Sequence, residues 1–230
     1  MKTLMLVFLL AGAALFAEDA AVSYRAKADF SLTADPAAAH WAAVPAVEFE
    51  HGRYGEAIPG YRTQVRSRWT SKNLYFLFTC PYEALFTKPG EPGQGETNEL
   101  WKWDAAEIFI GSDFENIRRY KEFEVSPRGE WIDLSVELAA GGGKHNIDWL
   151  WNSGFENKTR IDEQRKVWYC EMRIPVAAIA PWVAAEGREF RANFYRIQGK
   201  PPKFLAWRPV NQNWFHRPEA FGKLVLGGAR

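Results

Sequence analysis

The sequence predicts an all-β fold, an antiparallel β-sandwich or jelly roll forming a single domain. Most apolar runs are short and rich in aromatic or β-branched residues, and turn-forming residues bound them. No rhythm of strand, helix and strand suggests a parallel sheet.

The expected strands follow in order. Leu74–Cys80 (LYFLFTC) is an apolar, aromatic run, and Ala106–Ile110 (AEIFI) comes next. Tyr120–Val125, Trp131–Val136, Val167–Ile174, Phe190–Arg196 and Gly222–Leu226 complete the set. Their separators are rich in Gly, Pro and Asn: 88–96 (KPGEPGQGE), 126–129 (SPRG), 141–143 (GGG) and 199–202 (GKPP). Residues 175–180 suit one helical turn. There is no internal repeat and no linker to divide the chain, so one domain over 18–230 is expected.

Alternation assigns faces to these strands. Phe123 and Val125 share one side of their strand, opposite Tyr120, Glu122 and Glu124. Ile108 and Ile110 point one way, Glu107 and Phe109 the other. Ile132, Leu134 and Val136 oppose Trp131, Asp133 and Ser135. One sheet face thus mixes carboxylates with aromatic rings, as either an ordinary solvated face or a concave surface that grips a sugar would.

The composition narrows the function. Of 230 residues, 29 are Lys or Arg and 28 are Asp or Glu, a balance that argues against a nucleic-acid partner. Tryptophan is unusually frequent, with 11 residues. The N-terminus reads as a secretory signal peptide: Lys2, then the apolar stretch Leu4–Phe16, with cleavage expected after Ala17. That stretch is too short to span a bilayer comfortably, so no membrane span is expected and the mature protein is expected to be secreted or periplasmic. Cys80 and Cys170 suit either a disulfide, stabilising by about 4–5 kcal/mol on the chain-entropy model, or two buried thiols. The cysteines and His40, His51, His145 and His216 show no zinc-ligand spacing.

Several stretches in order resemble a family 9 carbohydrate-binding module, within the wider group of DOMON-like sandwiches. They are His40–Pro45 (HWAAVP), Arg68–Tyr75 (RWTSKNLY), Trp101–Ile110 (WKWDAAEIFI), Trp168–Pro175 (WYCEMRIP), Asn193–Arg196 (NFYR) and Pro218–Gly222 (PEAFG). The resemblance implies a non-catalytic protein whose partner is a saccharide or polysaccharide of gluco or xylo type, and the leader implies that it is exported. It would support polysaccharide degradation or uptake. By position, Trp101 and Trp214 would clamp the sugar ring, with Trp103 the alternative to Trp101. Glu107, Glu124 and Asn211 would hydrogen-bond its hydroxyls. The physics agrees, because the C–H face of a pyranose is apolar and its hydroxyls need polar partners.

One position departs from the pattern. Glu124 stands where the family's binders carry a basic residue, which puts sugar preference, or binding itself, in doubt. Glu122, Glu124 and Asp133 are alternatively a charge network with Arg196 or Lys121. No cofactor is implied. A structural calcium would match some relatives, yet the sequence locates no site and has no Asp-x-Asp-x-Asp-Gly loop. Two rival classes remain. A glycoside hydrolase would draw its carboxylate pair from Glu107, Glu124 and Asp133. A haem-binding electron-transfer domain would need Met172, whose alternation with Cys170 and Ile174 points it into a core.

Overall fold

The computed structural model describes residues 20–93 and 95–230. The expected leader 1–17 and its cleavage point after Ala17 lie outside the described residues. Thirteen strands form one curled sheet: β1 (Ala20–Arg25), β2 (Ala46–Phe49), β3 (Thr63–Trp69), β4 (Asn73–Pro81), β5 (Ala105–Gly111), β6 (Arg119–Val125) and β7 (Trp131–Glu137) come first. After them follow β8 (Asn146–Asp148), β9 (Glu156–Asp162), β10 (Val167–Pro175), β11 (Glu189–Gln198), β12 (Lys203–Ala206) and β13 (Gly222–Ala229). The expected helical turn is α1 (Val176–Ile179), which starts where Pro175 ends β10.

The strand order is β8-β7-β6-β5-β11-β13-β1-β3-β4-β10-β9, with β12 paired to β11 and β2 to β3. Most neighbours are antiparallel, but β1 runs parallel to both β13 and β3. The sheet is therefore mixed, which corrects the purely antiparallel expectation. The physical reason is sequence distance. Only a tight hairpin forces antiparallel pairing, and β1 reaches β3 and β13 through long connections.

The curl folds one half of the sheet over the other. Phe76 and Phe78 of β4 and Trp168, Cys170 and Met172 of β10 meet Ile108, Ile110, Phe123 and Phe194 from the opposite half. The Phe194 ring lies 5.8 Å from that of Phe76 and 6.1 Å from that of Phe78. Met172 is thus packed in the core, as its alternation indicates. Cys80 and Cys170 are buried free thiols in the same core. The β4–β10 register sets Cys170 opposite Phe78 and Cys80 opposite Trp168, so the two are offset rather than facing. Burial pushes the Cys80 thiol up to about 11.

Each half also has an outer face, and each is covered differently. On β4 and β10, Tyr75, Leu77 and Tyr169 pack under Ala34, Trp41 and Val44 from the segment between β1 and β2. On β5, β6, β7 and β11, Phe109, Tyr120, Leu134, Tyr195 and Ile197 pack with Val210 and Phe215 from the segment between β12 and β13. This second cover is incomplete, and a cavity opens through it.

Candidate functional site

The cavity holds about 370 Å³, within the range of small-ligand sites. Its floor is the outer face of β5 and β6. Period-two alternation puts Glu107 and Phe109 of β5 beside Glu122 and Glu124 of β6, and register pairs Glu107 with Glu124 and Phe109 with Glu122. Leu134 and Ile197 flank this floor from β7 and β11. Its walls are indoles. Trp101, Trp149 and Trp214 all line the cavity, each 37–42% exposed although large apolar side chains are normally covered.

Local structure holds each indole in place. Trp101 sits on a single helical turn whose Leu100 is fully buried. Just beyond it, Asp104 accepts hydrogen bonds from the Phe86 amide at 2.8 Å, the Gly199 amide at 2.5 Å and Gln198 Nε2 at 2.9 Å. Trp149 follows β8, with its ring 5.7 Å from that of Trp101. The Trp214 ring packs at a tilt against His216 at 4.2 Å and against His145 at 5.2 Å. Its loop is pinned from below. Tyr195 stacks on Phe215 at 4.1 Å, and its hydroxyl donates to the Phe215 carbonyl at 3.1 Å.

The floor carboxyls are buried without full hydrogen bonding. One oxygen each of Glu107, Glu122 and Glu124 has no partner among the described residues. Desolvation and the facing Glu124 hold the Glu107 carboxyl well above the usual carboxylate range. Desolvation and then Glu124 do the same to Glu122. Desolvation pushes Glu124 up to about 7, partly offset by a hydrogen bond from Glu122. Protons are therefore retained here near neutral pH, and the carboxyls can donate as well as accept. His216 Nε2 lies 3.7 Å from Glu122 Oε2, but burial pushes the imidazole down to about 3, so this contact is no ion pair. The Tyr120 hydroxyl shares a hydrogen bond with His216 Nδ1 at 2.6 Å, and burial keeps both groups neutral.

Of the residues named from sequence, Trp101, Glu107, Glu124 and Trp214 line this one cavity. Asn211 does not. It is exposed, holds a left-handed φ of 53°, and its amide donates to the Arg53 carbonyl at 2.7 Å. Asn213 lines the cavity instead. Trp103 packs on Phe86, with ring centres 4.6 Å apart, and is absent from the lining.

The charge-network alternative is corrected by register. Asp133 pairs with Phe123, and Arg196 with Ala106, which places both on the face opposite Glu107 and Glu124. Arg196 hydrogen-bonds Gln198 and the Pro81 carbonyl there, and Lys121 reaches Ser135. The solvated-face reading fails too, because Glu107, Glu122 and Glu124 are all nearly inaccessible.

Trp149, Glu122, Phe204 and Arg53 were not singled out as site residues from sequence. Glu122 shares the alternation of Glu124, which is a usable signal. Trp149 enters only because the β7–β8 pairing folds its loop beside Trp101. Arg53 reaches the rim through tertiary packing, over the Phe204 ring at 4.3 Å.

Comparison with known proteins gives a consistent result. Residues 34–229 match the family model described as carbohydrate family 9 binding domain-like. The chain is 26% identical over 180 residues to an extracellular protein of Arthroderma benhamiae, covering 73% of this chain and 80% of that one. A Bacteroides uniformis crystal structure superposes with a TM-score of 0.69 at 16% identity, over 90% of this chain and 99% of that chain. A family 9 carbohydrate-binding module from Caldicellulosiruptor kristjanssonii, solved with cellotriose, superposes with a TM-score of 0.66 at 14% identity, over 92% and 95%. The two superpositions establish a shared fold.

Proposed function

Because this chain belongs to the carbohydrate family 9 binding domain-like family, we propose that it binds a saccharide in the cavity under Trp101, Trp149 and Trp214. The observation that carries this reading is three part-exposed indoles around a cavity floored by hydrogen-bonding carboxyls. Trp101 and Trp214 stack on the apolar faces of a gluco- or xylo-configured ring, and Trp149 extends the wall. Glu107 and Glu124 meet its hydroxyls, with Asn213 in the place first given to Asn211. The extracellular relative and the cellotriose-bound module favour export and a glucan-type ligand. Among the described residues, no helix is long and apolar enough to cross a membrane. In this reading the mature chain starts at Glu18 and acts in polysaccharide degradation or uptake.

Calorimetric titration with cellobiose tests the reading. Stacking of this kind contributes on the order of 1–3 kcal/mol per ring, by analogy with bases stacking on aromatic side chains. Trp101→Ala and Trp214→Ala should therefore each weaken binding by roughly 5- to 150-fold while leaving the melting temperature nearly unchanged. Undiminished binding by both variants would remove the clamp.

A further inference from the structure

We infer that the cavity prefers a saccharide bearing a free amine, an amino sugar in its ammonium form, over the neutral sugar of the same configuration. This rests on the saccharide reading above and names the ligand class more narrowly. The first observation is the floor itself. Glu107, Glu122 and Glu124 bring three carboxyls together on adjacent strands, each with a buried oxygen lacking a partner among the described residues. A neutral hydroxyl satisfies one such oxygen at a time. An ammonium group supplies three donors together with the charge that relieves repulsion between facing carboxylates.

The second observation is the wall. Indoles are the best aromatic partners for a cation, and three of them stand over these carboxyls. The third is the treatment of competing cations. Arg53 lines the cavity, but its guanidinium is held at the rim, donating to the Asn213 carbonyl at 2.7 Å and to Asn213 Oδ1 at 3.1 Å. His216 is neutral, and Lys121 lies on the opposite face, 4.4 Å from the Trp151 ring centre. His145 packs at a tilt against Trp214 and is absent from the lining, and Tyr120 and Tyr195 keep their protons. Among the described residues, no three acidic, His or Cys side chains converge as a metal cage. A floor of carboxyls walled by indoles suits an organic cation that spreads its charge against rings.

Binding such a cation draws the floor carboxyls toward ionisation, so protons leave the protein as the complex forms. The experiment is titration of the full chain with the methyl glycosides of glucosamine, glucose and N-acetylglucosamine, in buffers of different ionisation enthalpy. Near neutral pH the glucosamine glycoside should bind about tenfold tighter than the glucose glycoside, a ratio typical of one desolvated cation–ring contact. Its binding should release protons. The preference should shrink in Glu122→Gln and Glu124→Gln, and also as the pH falls and the carboxyls stay protonated. Equal or tighter binding of the glucose or N-acetylated glycoside overturns the amine preference and leaves the saccharide reading standing. If none of the three binds, both fall.

Discussion

Two buried carboxylate settings sit on the two outer faces of the curled sheet, and they are built in opposite ways. On the β4–β10 face, Glu171 is surrounded by donors. Its Oε2 accepts the amides of Thr33 and Ala34, both at 2.6 Å, and the Thr33 hydroxyl at 3.2 Å, while Oε1 accepts Trp41 Nε1 at 2.9 Å. That carboxylate fastens the covering segment to the sheet. On the β5–β6 face, Glu107, Glu122 and Glu124 are equally buried, yet each retains an oxygen without a partner among the described residues. Burial alone therefore says little about a carboxyl. Converging protein donors make it a structural fastener, and an open cavity with missing donors makes it a place for a ligand.

Glu171→Gln should produce the largest effect on this contrast. The substituted amide keeps one acceptor oxygen but turns an NH₂ toward donors that need one. Breaking a buried charged network of this kind costs about 3–5 kcal/mol. Glu124→Gln, by contrast, should stay within about 1 kcal/mol of the parent, because the amide replaces a carboxyl that largely keeps its proton near neutral pH and still offers an oxygen to Glu122. Urea denaturation of both variants measures the difference. If the two lose stability equally, the distinction between fastener and binding floor is wrong.

The same contrast explains what the sequence makes legible. The strands with aromatic and β-branched runs are visible, because their composition reports two-sided or alternating burial. β9 (ENKTRID) is not, being a charged strand at the sheet edge. β3 (TQVRSRW) hides for another reason. Its Arg68 is buried but donates to the carbonyls of His40, Arg25 and Arg230, partners that only tertiary structure supplies. In the site, alternation places Glu107, Glu122 and Glu124 on one face, and the family resemblance picks out Trp101 and Trp214. Trp149, Arg53 and Asn213 depend on how three separate loops converge, which no local pattern encodes.

The pH dependence of stability should come next in size. Glu124 is raised from 4.5 to about 7 in the folded chain, so its protonated form favours folding. Its contribution is fully present below 4.5 and is withdrawn as pH rises through about 7. The loss is on the order of 3 kcal/mol for a carboxyl moved that far. Denaturation midpoints on either side of this window should fall with rising pH in the parent and fall less in Glu124→Gln. A saccharide seated on the floor should alter the slope. A midpoint that rises with pH across the window would break the assignment of the floor carboxyls as proton-holding groups.

The smallest expected effect separates two asparagines on the rim of the open face. Asn213 Oδ1 accepts the Tyr54 hydroxyl at 2.6 Å and Arg53 Nη2 at 3.1 Å, so its side chain braces the loop that carries Trp214. These contacts are exposed, and the loss of both in Asn213→Ala should cost about 1 kcal/mol, or about fivefold in saccharide affinity. Asn211 contributes its backbone amide and a left-handed φ of 53°, a conformation glycine adopts without strain. Asn211→Gly should therefore leave affinity within about twofold of the parent, since neither the amide bond nor the cavity lining is disturbed. Titration of both variants with one saccharide decides between them. Should Asn211→Gly weaken binding more than Asn213→Ala, the amide that meets the sugar belongs to Asn211 and the loop turns inward on binding. Should Asn213→Ala be the weaker binder, Asn213 both supplies the rim amide that meets the sugar and braces the loop that holds the Trp214 indole over the carboxyls.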